Sequence, residues 1–206
     1  MKLGVYGGTF DPLHNGHLSV ARAAREAHDL DRVLLVPAAR APHKRRTLSP
    51  AGHRLAMVRL AVEGEDGLEA SDLEIARGGV SYTVDTLETL AHLDSAAEIF
   101  LIVGADSLPE LHLWKDVGRI FSVARVVVVN RPGHDPEAWR PELVADVDPR
   151  AAERYRDDQV VMAPSPVSST QVREAIRAGR PVDGLVPPVV ARYVAEHGLY
   201  RDDPED

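Results

Sequence analysis

The sequence predicts an α/β fold in which a parallel sheet is covered by helices on both faces. Three observations carry this. Short apolar runs alternate with amphipathic stretches along the chain. The runs at 99–103 and 126–129 are apolar at every position, as in strands buried on both faces. The 206 residues, 44% apolar and 27% charged, suffice for one packed domain.

Residues 3–6 read as the first strand, followed at once by glycines. A helix is expected over 15–28, with Val20, Ala24 and Ala27 on one face. A second strand covers 33–36, and 37–49 is a basic loop. The next helix covers 51–62, with Ala51, Leu55, Val58 and Val62 at helical spacing. Residues 68–75 hold one or two short extended pieces, and 84–93 a third helix. Strands at 99–103 and 126–129 follow. The stretch 131–158 carries Pro132, Pro136, Pro141 and Pro149 among many charges, and reads as a surface excursion. A last strand at 160–162 and helices starting near Ser169 and Pro188 complete the chain. A single domain is expected over 1–206: a core over 1–163, then a loop and helices over 164–206. Parallel sheets of this kind bind ligands at the carboxyl ends of their strands. The loops at 7–17, 37–49, 104–114, 130–134 and 164–173 are therefore the places to look.

Composition excludes several classes of function. A net charge of −8 makes the chain a poor non-specific binder of nucleic acid or anionic membrane. With no cysteine, thiolate nucleophiles, disulfides and cysteine-ligated metals are excluded. No apolar run approaches the ~20 residues that span a bilayer, and the N-terminus lacks a signal-peptide core. The expected location is cytoplasmic. Only Lys2, Lys44 and Lys115 are lysines among the 24 basic residues, which draws attention to Lys44 in the loop after the second strand. That lysine could reach a phosphate or simply be solvated.

The first loop runs Gly7-Gly8-Thr9-Phe10-Asp11-Pro12-Leu13-His14-Asn15-Gly16-His17. Its glycines let a phosphate or nucleoside approach the backbone. The helix start that follows offers unpaired N–H groups and a partial positive charge. His14 and His17 stand there, and each can donate to a phosphate oxygen. The glycine spacing does not match G-x-G-x-x-G, and no acidic residue ends the second strand. A two-histidine metal site and a plain tight turn remain as alternatives. In the last loop, Ser168-Ser169-Thr170-Gln171-Val172-Arg173, the hydroxyl residues read as helix N-caps. Arg173 in the first turn opposes the helix dipole unless an anion sits there. The alternative is an ordinary capped helix with an exposed arginine.

Together, Gly-Gly-Thr-Phe-Asp-Pro-x-His-x-Gly-His and Ser-Ser-Thr-x-x-Arg resemble the nucleotidylyltransferase superfamily, with Val167 where isoleucine is usual. Pro42-His43-Lys44, the segment 81–87, the segment 104–108, Trp114, Asn130-Arg131-Pro132-Gly133 and the ending from Tyr193 to Tyr200-Arg201 extend this over almost the whole chain. In that order they resemble the bacterial nicotinate-nucleotide adenylyltransferase family. The resemblance implies a Rossmann-like, doubly wound parallel sheet with helices on both faces and a small C-terminal helical part. It implies transfer of AMP from ATP to nicotinate mononucleotide in NAD biosynthesis, with Mg²⁺ delivered on the ATP and no dedicated metal site.

Roles follow residue by residue from the same resemblance. Gly8, Thr9, Phe10, His14 and His17 contact ATP, and Gly104 and Asp106 meet ribose hydroxyls. Ser168, Ser169, Thr170 and Arg173 hold the outer phosphates. Thr83, Trp114 and the region of Arg131 form the mononucleotide pocket. His14, His17 and Arg173 are the expected catalytic residues. An indole suits a cationic pyridinium ring through cation–π attraction of roughly 0.5–2 kcal/mol, although Trp114 could also be a core residue. Sister enzymes acting on nicotinamide mononucleotide or phosphopantetheine, and dual specificity, are the nearest alternatives. A non-catalytic nucleotide sensor would be marked by a broken His-x-Gly-His or Ser-Ser-Thr-x-x-Arg, and both are complete here.

Overall fold

The computed structural model of the chain describes residues 1–42, 49–130, 149–150, 153–154, 158–162 and 167–201. Lys44 and Arg131, and most of the 131–158 excursion, lie outside the described residues. Six strands, β1 (Lys2–Gly8), β2 (Arg32–Pro37), β3 (Leu68–Ala70), β4 (Glu98–Gly104), β5 (Arg125–Asn130) and β6 (Gln159–Val161), form one sheet. Their order is β3-β2-β1-β4-β5-β6 and every pairing is parallel. The chain leaves β1 towards one edge and returns to β4 towards the other. The strand order thus reverses between β1 and β4, which opens a crevice beyond their carboxyl ends.

Alternation of side chains separates the core into two layers. Leu3, Val5, Leu34, Val36, Leu101, Val103, Val126 and Val128 face one side. There they meet Val84, Leu87 and Leu90 of α4 (Thr83–Leu93), and Ile120 and Phe121 of α5 (Val117–Val123). Tyr6, Val33, Leu35, Phe100, Ile102, Val127 and Val129 face the other. That layer is closed by α1 (Asn15–His28), α2 (Ala51–Val62), α6 (Ser169–Arg177) and α7 (Pro188–Glu196), through Leu18, Val20, Met57, Val58, Val172 and Val190. The fold is thus the expected doubly wound sheet. A short α3 (Leu73–Arg77) and a 3-10 helix (Ala105–Leu113) fill two of the connections.

Three expectations need correction. Leu73 to Ile75 is helical rather than extended: the strand stops at Ala70, and Asp72 begins a one-turn helix. Ala27 is exposed, and α1 buries Leu18, Ala21 and Ala24 with Val20. The segment after β4 is a 3-10 helix followed by α5, neither of which the apolar spacing announced. No described helix is long and apolar enough to cross a membrane.

Candidate active site

Beyond the carboxyl ends of β1 and β4 lies a cavity of about 800 Å³. Its floor is the strand ends at Gly7, Gly8 and Gly104, and its walls are the starts of α1, α4 and α6. The site residues expected from sequence that are described, Gly8, Thr9, Phe10, His14, His17, Thr83, Gly104, Asp106, Trp114, Ser168, Ser169, Thr170 and Arg173, all line this one cavity.

The β1–α1 loop is shaped by packing of its own aromatic residue. A β-carbon on Gly8 would lie 3.0 Å from the Phe10 ring, so the glycine makes room for that ring as well as for a ligand. Phe10 lines the cavity yet is only 1% exposed, so its ring also supports the loop from within. It sits edge-on to Tyr6 at 5.6 Å and to His17 at 5.0 Å. His14 is the N-cap of α1 in an extended conformation, and its N–H donates to His17 Nδ1 at 3.2 Å. A ring nitrogen that accepts carries no proton, so neutral His17 has its hydrogen on Nε2. The two imidazoles are stacked, with centroids 3.6 Å apart and planes at 25°. His14 is 2% exposed and therefore backs His17.

The start of α6 uses the same device. Ser168 Oγ accepts the Gln171 N–H at 3.2 Å, and Gln171 Oε1 accepts the Ser168 N–H at 2.8 Å, a reciprocal cap. Neither α1 nor α6 has an acidic residue in its first turn. Two helix N-termini with uncompensated partial positive charge thus open on one cavity. Arg173 is buried, which removes the exposed-arginine alternative. Its Nη1 donates to the Asp11 carbonyl at 2.9 Å and its Nη2 to Thr170 Oγ1 at 3.1 Å. Ser169 Oγ donates to the Pro12 carbonyl at 3.0 Å. This bond ties the start of α6 to the β1–α1 loop.

Across the cavity, Thr83 opens α4 and Trp114 ends the 3-10 helix. Trp114 is half-buried against the α4–α5 core layer while lining the cavity, so it is at once a packing residue and a wall. Ser81 ties this side to the β2 loop, accepting the Ala39 N–H at 2.9 Å. A β-carbon on Gly104 would stand 2.4 Å from Asp106 Oδ1, so this glycine is what lets the carboxylate fold back over the strand end. Glu74, Glu110 and Lys115 also line the cavity, and Lys115 Nζ donates to Asp85 Oδ1 at 2.8 Å.

Three residues to which the sequence assigns no role hold the loop in place. Arg54 is 1% exposed, and its guanidinium donates to the carbonyls of Ser49, Thr9 and Ala39 at 2.9, 2.9 and 3.2 Å. Asp11 and Tyr200 meet through a buried hydrogen bond of 2.7 Å. A signal for Arg54 was present: it precedes Val58 by one turn, which sets a charge on the buried face of α2. Among the described residues, no group of three His, Cys, Asp or Glu is placed to hold a metal ion.

Comparison with known proteins gives a consistent family. Residues 5–175 match the cytidylyltransferase-like family model. A probable nicotinate-nucleotide adenylyltransferase of Gemmatimonas aurantiaca is 45% identical over 99% of this chain and 94% of its own length. One of Desulfatibacillum aliphaticivorans is 40% identical over 97% of this chain and 100% of its own. In fold, the chain is similar to Plasmodium falciparum nicotinic acid mononucleotide adenylyltransferase complexed with NaAD, with a TM-score of 0.75 at 16% identity over 99% of both chains. With a cytidylyltransferase-like match over most of its length and relatives this close, the chain belongs to the nicotinate-nucleotide adenylyltransferase family.

Proposed function

We propose that this enzyme transfers the adenylyl group of ATP to nicotinate mononucleotide, giving nicotinate adenine dinucleotide and pyrophosphate in NAD biosynthesis. One observation carries the reading. Two helix N-termini without acidic first-turn residues, one bearing His14 and His17 and the other Arg173, share a cavity with a half-buried tryptophan. Cationic and N–H donors at one end suit a triphosphate, and the indole at the other suits a pyridinium ring.

In the step, a phosphate oxygen of the mononucleotide forms a bond to the α-phosphorus of ATP. The bond from that phosphorus to the bridging oxygen breaks, and both electrons leave with pyrophosphate. The nucleophile is already an anion, so no general base is needed. The protein's work is positioning, which supplies roughly 7–11 kcal/mol, and neutralising charge that grows on the leaving oxygens. His17 Nε2–H faces the α-phosphate, with His14 holding the ring. Arg173 and the α6 N-terminus take the departing pyrophosphate. Thr83 and Trp114 seat the acceptor, and Asp106 beside Gly104 takes ribose hydroxyls. Magnesium enters as part of the MgATP substrate, ligated by phosphate and water.

The test is pyrophosphate release by the purified protein with MgATP and, in separate reactions, nicotinate mononucleotide, nicotinamide mononucleotide or phosphopantetheine. Strong preference for the first is expected. Equal rates with both pyridine nucleotides would make the pocket permissive, and release with none of the three would overturn the assignment.

A further inference from the structure

The last described turn of the chain reaches the nucleotide loop through one hydroxyl. Tyr200 is 5% exposed and has φ 66°, in the left-handed region that a residue with a β-carbon enters only at a cost. It is delivered there by the end of α7, where the Leu199 N–H donates to the Val194 carbonyl at 3.1 Å. Its hydroxyl donates to Asp11 Oδ1 at 2.7 Å, while Asp11 Oδ2 accepts the Ser49 N–H at 3.3 Å. Asp11 is 1% exposed and stands between Phe10 and the cap residue His14.

Burial of α7 does not need this hydroxyl. Val190 and Val194 already anchor that helix, and a phenyl ring would fill the Tyr200 site equally well. What the hydroxyl adds is direction: it orients a buried carboxylate whose backbone carbonyl receives Arg173 at 2.9 Å. We propose that Tyr200 is a positioning residue for the ATP-binding loop, acting through Asp11 to set where His17 and Arg173 stand. The C-terminal helical part is then a component of the ATP half of the site, and the acceptor half, built on α4 and the 3-10 helix, is independent of it. This rests on the adenylyl-transfer reading.

The test compares the full chain with Tyr200→Phe. Three quantities are measured: the Kd of the α,β-methylene analogue of ATP, and the two KM values for pyrophosphate release. Loss of this bond is expected to raise the analogue Kd and the KM for ATP by about three- to tenfold. The KM for nicotinate mononucleotide should stay within about twofold. A merely structural tyrosine would leave fewer folded molecules, lowering the apparent kcat only in proportion to the folded protein lost, with both KM values and the analogue Kd unchanged. That result, or equal rises in both KM values, would overturn the proposal. A wild-type protein that binds the analogue but releases no pyrophosphate would sink the reaction, and the analogue Kd would still decide the role of Tyr200. Should Tyr200→Phe not fold, amide exchange of the wild type decides. Residues 9–14 and 198–200 should open with one shared free energy, and C-terminal amides that exchange freely over a protected loop would refute the coupling.

Discussion

Replacing His17 separates two jobs that one imidazole performs. Its Nδ1 accepts the His14 N–H at 3.2 Å, as a capping residue does at the third helical position. That same bond leaves the Nε2–H as the donor of the neutral ring, in a side chain that lines the cavity. His17→Ala loses both. The lost cap costs about 1 kcal/mol, or about 2–4 °C in Tm for a chain of this size. The lost donor costs about 3 kcal/mol at the transition state, at least about 100-fold in kcat. His17→Gln is the discriminating variant. Glutamine at this position is a natural cap partner, so it restores most of the stability. With its Oε1 turned back to the cap N–H, its amide nitrogen no longer points where the ring Nε2–H does, and the stacking on His14 at 3.6 Å is lost. Pyrophosphate release at saturating substrate, with Tm measured on the same preparations, should therefore show wild-type stability and alanine-like kcat. Glutamine restoring activity together with stability, or an alanine variant within threefold of wild type, would reduce His17 to a helix cap.

Three further outcomes are expected. Gly104→Ala places a β-carbon 2.4 Å from Asp106 Oδ1, and that carboxylate belongs to an exposed side chain that can swing away. The variant should keep its Tm within about 2 °C yet lose about tenfold or more in kcat/KM; unchanged kcat/KM would remove Asp106 from the site. Trp114→Ala should raise KM for the mononucleotide far more than for ATP, and equal rises would make Trp114 structural only. Burial holds His28 below its ordinary value of 6.5, with Arg125 and Lys2 adding to this and Asp158 opposing it. As pH falls below that value the unfolded chain takes up a proton that the folded one resists, so stability declines with falling pH. The urea midpoint between pH 7.5 and 5 should therefore fall more steeply for wild type than for His28→Gln, and parallel profiles would contradict this.

Much of the fold is legible because its core strands are buried on both faces. Residues 99–103 and 126–129 read as strands from apolarity alone, and the ladder continues one residue further at each end through Glu98, Gly104, Arg125 and Asn130. The helices expected at 15–28 and 51–62 have those bounds in the structure. What was hidden depends on contacts distant in sequence. The spacing puts Arg54 on the buried face of α2, but its partners, the carbonyls of Thr9, Ala39 and Ser49, are brought around it only by the fold. Asp11 and Tyr200 are 189 positions apart, and no local pattern joins them. The 3-10 helix over Ala105–Leu113 contains Pro109 and lacks the 3.6-residue period, so it reads as loop. Within the site, the motifs point to residues that line the cavity, but not to the second task of Phe10, whose buried ring packs edge-on against His17.

The most direct test follows the label of ATP. Purified protein is given nicotinate mononucleotide and ATP labelled at the α- or at the γ-phosphorus, and the products are separated. Adenylyl transfer puts the α label in the dinucleotide and the γ label in pyrophosphate, with neither in inorganic phosphate or ADP. A γ label in the mononucleotide or in free phosphate would mean attack at the other end of the triphosphate, and would contradict the placement of His17 at the α-phosphate and Arg173 at the leaving group.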